Sequence, residues 1–325
     1  MRLLLLTVLA ALIFSGCGGS PGADRPNEDA TLLLDFSPNA VHSGIYLATD
    51  RGFDEAEGVR LRVRRPGAST DALKLLEAGR VDMAILDIHD LGLAREKHRE
   101  LVGVMAVVQR PLAAVLAQPS IVRPRELDGK RAGVTGLPSD DAVLNSVVEG
   151  DGGHPDEVKA TTIGFQAVKA LLAKRVDGAT AFWNVEGVAL RSRGFREFRV
   201  DDYGAPAYPE LVLAVTRDTL ENRRSLIRAT IRALQRGYGE AQSDPASAVS
   251  AMTAQVRGLD RGDLAEQLDA VAPAFTAGAQ VYGQLRPGVL REWAAWDQRF
   301  GILDEPVDLD EAFDTTFVGR PARND

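Results

Sequence analysis

The feature that most constrains the fold is an internal repeat. Leu75-Leu-Glu-Ala-Gly-Arg-Val-Asp82-Met-Ala-Ile-Leu-Asp87 is echoed, with one residue gapped, by Leu171-Leu-Ala-Lys-Arg-Val-Asp177-Gly-Ala-Thr-Ala-Phe-Trp183. Each copy reads as the end of a helix, an Arg-Val-Asp turn and a short apolar strand that delivers a side chain at its carboxyl end: Asp87 in one, Trp183 in the other. A chain carrying the same helix–turn–strand unit in each half is expected to form two similar lobes. Ligands of open α/β sheets bind beyond the carboxyl ends of the strands. The expected cleft therefore has Asp35, Phe36 and Asp87 on one wall and Trp183 on the other.

The local patterns around the repeat agree with this. Apolar content and alternation predict strands over Ala30–Asp35, Val59–Arg64 and Val81–Leu86, and helices over Ser43–Arg51, ended by Gly52, and Ser69–Ala78. Strands alternating with helices of about ten residues argue for α/β architecture with largely parallel sheets. Two apolar runs within Val107–Ala117 flank Gln109-Arg-Pro111, and the turn Leu127-Asp-Gly-Lys130 precedes a strand over Arg131–Val134. Ser139 then N-caps a helix over Asp141–Val148. The Gly136 turn before that helix, with Thr135 and Ser139, reads equally as an ordinary cap or as backbone N–H groups offered to an anion. From Leu220 onward the periodicity is helical, over Arg223–Gln242, Asp244–Gln255, Asp263–Phe275 and Pro287–Arg299, and these helices are expected to pack back on the first lobe.

Met1-Arg2, the apolar run Leu3–Phe14 and Ser15-Gly16-Cys17 read as an export signal over residues 1–16. The run is too short for a membrane span, which needs about 20 apolar residues. Cys17 stands where bacterial lipoprotein signals place the cysteine that is lipidated, so the protein is expected to be exported and anchored to the outer face of the cell membrane through that lipid alone. The Gly/Pro-rich residues 17–29 follow as a tether. Cys17 is the chain's one cysteine, which leaves the body of the protein without disulfides, thiolate metal sites or a cysteine nucleophile. Net charge is −8 with the signs well mixed, so nucleic acid is not an expected partner. His89 between Asp87 and Asp90 has no second histidine at ligand spacing, and neither a metal nor a cofactor is expected.

Two further segments carry the chemistry. The first is Leu34-Asp-Phe-Ser-Pro-Asn-Ala-Val-His-Ser-Gly-Ile-Tyr-Leu-Ala48, and the second Trp183-Asn-Val-Glu-Gly187. Together with Gly133-Val-Thr-Gly136, Pro138-Ser-Asp-Asp141 and Gly204–Leu213, they make the chain resemble the periplasmic-type binding proteins related to fungal thiamine-pyrimidine synthases. That family's first motif reads close to LDW-x-PN-x-x-H-x-G-x-Y-x-A, with Phe36 here replacing its tryptophan. The resemblance implies a two-lobed periplasmic-binding-protein fold of type II, with lobe 1 over 30–115, lobe 2 over 116–215, a helical return over 216–310 and a tail over 311–325. It also implies a monomer that captures a thiamine-precursor pyrimidine, such as hydroxymethylpyrimidine or formylaminopyrimidine, for the permease of an ABC importer.

The residues suit a flat nitrogen heterocycle. Phe36, Trp183 and Tyr208 offer faces for stacking, worth ~1–3 kcal/mol per base-like ring. Asp35 and Glu186 accept from an exocyclic amine, and Asn39, His42 and Asn184 complete the polar edge. Structural duties compete with each role: Phe36 and Trp183 as core, Asp35 as a cap, His42 as a hydrogen-bonded spacer. Relatives of the same fold bind riboflavin, sulfonates or nitrate, and the fungal ones are enzymes with an active-site histidine and iron near a cysteine-rich segment. An inward-facing Asp35 and Glu186 would repel an anion, and the cysteine-free body argues against the enzyme.

Overall fold

The computed structural model describes residues 26–67 and 71–319. The expected signal peptide, Cys17 and most of the tether, the expected helix start at Ser69, and residues 320–325 lie outside the described residues. The strands are β1 Glu28–Leu33, β2 Val59–Arg64, β3 Met83–Asp87, β4 Leu101–Ala106, β5 Ala113–Ala117, β6 Arg131–Val134, β7 Lys159–Thr162, β8 Gly178–Phe182, β9 Arg196–Arg199 and β10 Leu211–Thr216. The helices are α1 Ser43–Asp50, α2 Phe53–Ala56, α3 Asp71–Glu77, α4 Ile88–Glu96, α5 Asp140–Gly150, α6 Ala167–Leu172, α7 Val188–Arg191, α8 Arg217–Asn222, α9 Arg224–Ser243, α10 Pro245–Gln255, α11 Arg261–Val271, α12 Pro287–Arg299 and α13 Leu309–Ala312. The one helix expected over Asp263–Phe275 is two elements, because α11 tightens at Ala272 into a 3₁₀ turn at Pro273, whose nitrogen has no hydrogen to donate.

Two five-stranded sheets share one topology. Their orders are β2-β1-β3-β10-β4 and β7-β6-β8-β5-β9. In each, the first three strands of the lobe are parallel, and one strand arriving from the other lobe, β10 or β5, is inserted antiparallel. The sheets are thus mostly parallel, four strands of five running one way, with a single reversed strand in each: a chain that crosses between lobes enters each sheet from the opposite end.

The repeat has a physical cause. In the first sheet the Arg-Val-Asp aspartate, Asp82, accepts from Thr31 N at 2.7 Å and returns its own N–H to Thr31 O. In the second, Asp177 accepts from Arg131 N at 3.0 Å and returns its N–H to Arg131 O. Each aspartate thus locks its strand, β3 or β8, to the strand beside it, while Val81 and Val176 before them are buried in the core. β3 and β8 consequently end at equivalent places facing the space between the sheets.

The helical return closes the first lobe. α9 buries Leu226, Ile227, Thr230, Ile231, Leu234, Gly237, Tyr238 and Ala241, a helical-period stripe that packs on α1. The two backbones touch: a Cβ on Gly237 would sit 2.1 Å from Gly44 O, and one on Gly44 would sit 2.2 Å from the Tyr238 ring. Tyr238 stacks on Tyr282 with centroids 4.4 Å apart and donates to Val41 O at 2.8 Å. Arg286 ties together the two connections between the sheets, donating to Gln109 O at 3.3 Å and to Ala207 O at 3.2 Å.

Candidate functional site

Between the sheets, at the carboxyl ends of β1, β3 and β8, lies a cavity of about 770 Å³ counted to its open mouth. From the first sheet come Asp35, Phe36 and Asn39 after β1, Asp87 at the end of β3, Asp90 one turn into α4, and Glu210 just before β10. Phe165 enters ahead of α6, and Phe182, Asn184 and Glu186 follow from the end of β8. Phe36 meets Phe165 across the mouth, ring centroids 5.0 Å apart.

Local chemistry sets each polar group. Asn39 caps the turn Ala40–His42, its Oδ1 accepting from Val41 N at 3.0 Å. Asn39 N donates to His42 Nδ1 at 3.2 Å, which makes Nδ1 the acceptor and leaves Nε2 to carry the hydrogen toward Asp35 Oδ1 at 2.8 Å. His42 is fully buried behind Asp35 and does not line the cavity; it orients the carboxylate that does. Asp87 caps α4, accepting from His89 N at 2.8 Å. Glu186 accepts from Phe182 N at 3.2 Å, and burial pushes its carboxyl above the usual carboxylate range. Burial likewise raises Asp87, Asp90 and Glu210, and mutual repulsion adds to it for Asp87.

Besides His42, four expected site residues sit off the cavity lining. Trp183 is 2 % exposed and its ring is not on the cavity; Nε1 donates to Pro111 O at 2.9 Å, its backbone N–H to Leu112 O, and Arg199 covers its face at 3.9 Å. It anchors the second sheet to the connecting strand instead of stacking on a ligand. Trp183→Phe keeps a phenyl ring but loses part of the indole volume and the hydrogen bond to Pro111 O, so its urea midpoint is expected to fall by the equivalent of about 2–3 kcal/mol. Tyr208 is fully buried, its hydroxyl 3.2 Å from His89 Nε2. Thr135 and Ser139 serve no anion, because Asp140 already takes the N–H groups of Gly136 at 2.6 Å and Leu137 at 2.8 Å, and the Thr135 hydroxyl at 2.8 Å. Ser139 makes no capping hydrogen bond, contrary to its expected N-cap role.

Asp90, Phe165, Phe182 and Glu210 were absent from the expected set. Asp90 follows Asp87 by one helical turn, and Glu210 precedes the residue that pairs with Asp87 in the β3–β10 ladder, Leu211. The first relation is legible as an i, i+3 spacing; the second needs the inserted strand.

Among known proteins, the model of the family described as NMT1/THI5 like matches residues 39–248. The formylaminopyrimidine-binding protein of Halalkalibacterium halodurans is 30 % identical over 251 residues, covering 75 % of this chain and 76 % of that one. The 4-amino-5-hydroxymethyl-2-methylpyrimidine phosphate synthase of Legionella pneumophila is 23 % identical over 298 residues, covering 89 % and 92 %. Among solved structures, the alkanesulfonate-binding protein SsuA of Xanthomonas axonopodis pv. citri, bound to MOPS, superposes with a TM-score of 0.69 at 17 % identity, covering 89 % of this chain and 98 % of that one.

Proposed function

The chain belongs to the NMT1/THI5-like family and has the periplasmic-binding-protein fold, and from that premise we propose that it captures an amine-bearing aromatic N-heterocycle, a thiamine-precursor pyrimidine, for an ABC importer. One observation carries the ligand class. The cavity is lined by five carboxylates, Asp35, Asp87, Asp90, Glu186 and Glu210, and three phenylalanines, with no lysine, arginine or histidine among its lining residues. Carboxylates accept from ring amines, and the phenyl faces suit a flat ring. A sulfonate, nitrate or phosphate placed there would meet like charge and no donor of opposite sign.

Binding in place of synthesis is supported by the formylaminopyrimidine-binding relative, which is more similar to this chain than the matched synthase. In this reading the two sheets are the cores of two lobes that close on the ligand, residues 1–16 direct export, and a lipid on Cys17 holds the protein at the membrane beside its permease.

A thermal-shift screen with formylaminopyrimidine, hydroxymethylpyrimidine, riboflavin, taurine and nitrate tests it. A ligand at 100 times its Kd stabilises by ~2.7 kcal/mol, or roughly 5–10 °C at ~2–4 °C per kcal/mol. The expected result is a shift with one pyrimidine that Glu186→Ala abolishes; a shift with taurine or nitrate alone sinks the reading.

A further inference from the structure

Resting on that reading, we infer that the floor formed by Asp87, Asp90 and Glu210 is a cation subsite, so that the ligand binds with a protonated nitrogen, an amidinium or ammonium group, and not as a neutral heterocycle. The three residues reach one wall by two routes. Asp87 ends β3 and Asp90 lies one turn further in α4, while Glu210 directly precedes Leu211, the partner of Asp87 in the β3–β10 ladder. They share the cavity with Asp35 and Glu186, the pair read above as serving the amine edge. A neutral ring that satisfies Asp35 and Glu186 leaves three floor carboxylates to the single charge of His89.

The molecule itself supplies one counter-charge for all three. The nearby cation is His89, whose Nδ1 is engaged by Asp297 at 2.8 Å and whose Nε2 faces the Tyr208 hydroxyl at 3.2 Å, both away from the cavity. Glu210 accepts from Leu112 N at 3.0 Å and Asp87 from His89 N, which are neutral donors. Asp90 lines the cavity, and among the described residues its carboxylate accepts no hydrogen bond. On the facing wall Asn184, 1 % exposed, buries an Oδ1 that has no hydrogen-bond partner. A buried acceptor left unpaired costs ~1–3 kcal/mol. It calls for an N–H donor from whatever fills the cavity, an observation independent of the carboxylates.

The spacing decides between kinds of cation. Among the described residues, the set of three or more His, Asp or Glu side chains whose ligating atoms all lie within 4.8 Å of one another is the surface group Asp128, His154 and Glu157. The floor carboxylates are not such a set: their oxygens do not all lie within 4.8 Å of one another. An organic cation with several N–H groups spans them, and its delocalised charge is less costly to desolvate than a compact ion.

The test is calorimetric titration of the purified full-length chain with benzamidinium and with benzamide, planar rings of one shape that differ in charge, alongside hydroxymethylpyrimidine. The expected result is that benzamidinium binds, benzamide binds about 10- to 100-fold more weakly, and Asp90→Asn removes that preference. Glu210→Gln, which keeps an oxygen for Leu112 N, is expected to reduce it in the same direction. Equal binding of the two probes, failure of benzamidinium to bind, or a preference untouched by both substitutions in folded protein overturns the cation subsite. Hydroxymethylpyrimidine reports on the functional reading separately, since its binding in any of those cases leaves that reading intact.

Discussion

Gly237→Val protein is expected to be recovered unfolded or aggregated. The methyl groups would have to occupy space already held by the backbone of α1, because even a Cβ at this position falls 2.1 Å from Gly44 O and 2.8 Å from Ala48 Cβ. A flexible side chain can swing aside; a carbonyl inside a helix cannot, so the two helices must separate. Separation uncovers Leu234, Tyr238 and Ala241 on α9 and Ile45 and Ala48 on α1, all buried at present. Each large apolar side chain so exposed forfeits about 1.5–3 kcal/mol, and the sum over Leu234, Tyr238 and Ile45 is comparable to the roughly 5–15 kcal/mol that holds a typical domain together. Gly239 lies on the same helix with nothing within 4 Å of its would-be Cβ. Gly239→Ala is therefore expected to raise stability by about 0.5–1 kcal/mol, from the lower helix cost of alanine. Far-UV circular dichroism and a urea melt of the two variants side by side check the pair; a folded Gly237→Val protein would show that the α1–α9 contact is not obligatory.

The second large effect is expected at Asp297. Its carboxylate is wholly buried beside His89, and removing one partner of a buried pair costs about 3–5 kcal/mol. Asp297→Ala should lose that much in a urea melt near neutral pH. The pH dependence identifies the cause. Burial opposes the charge on His89, but Asp297, with Asp87 and Glu210 behind it, pushes the imidazole up to about 10 from its ordinary 6.5. A histidine raised on folding contributes its full stabilisation below its unfolded value and loses it as pH climbs to the folded one. Stability is therefore expected to decline between pH 6.5 and about 10. Asp87, Asp90, Glu186 and Glu210, raised mainly by burial, act in the same direction, since the native protein holds their protons to higher pH than the unfolded chain does. In Asp297→Ala burial prevails at His89, and the decline above pH 6.5 should flatten. A slope identical to that of the parent would assign the pH dependence to the carboxylates alone.

What the sequence made legible follows from locality. The Arg-Val-Asp echo announced two similar sheets because Asp82 and Asp177 perform one local task, tying a strand to its neighbour, and a local task leaves a compact motif. Asp35, Phe36, Asp87, Asn184 and Glu186 line the cavity because each sits within a few residues of a strand's carboxyl end. Trp183 reads as a stacking face for the same reason, and Tyr208 as a further aromatic face for a flat ring, yet both are buried off the cavity. The turn that carries Trp183 through Gly187 is a π-helix, whose wider winding puts Asn184 and Glu186 on the cavity and sends the indole toward Pro111. Such a turn has no periodicity signal in five residues. Glu210 and Phe165 were illegible for a different reason: the first reaches the site through a strand inserted from elsewhere in the chain, the second through a loop ahead of α6.

The insertion of β10 between β3 and β4 also bears on the order of folding. Every strand of the second sheet falls within residues 113–199, a continuous stretch, whereas the first sheet needs a strand that begins at Leu211. During synthesis the facing edges of β3 and β4 stay open until that strand arrives, while the later-made sheet already has all its members. The sheet encoded in the middle of the chain is thus free to consolidate first, and the amino-terminal one must wait on a contact of long sequence separation, which slows folding. The delay keeps the amino-terminal half of the chain loose until the last strand of its sheet has been made.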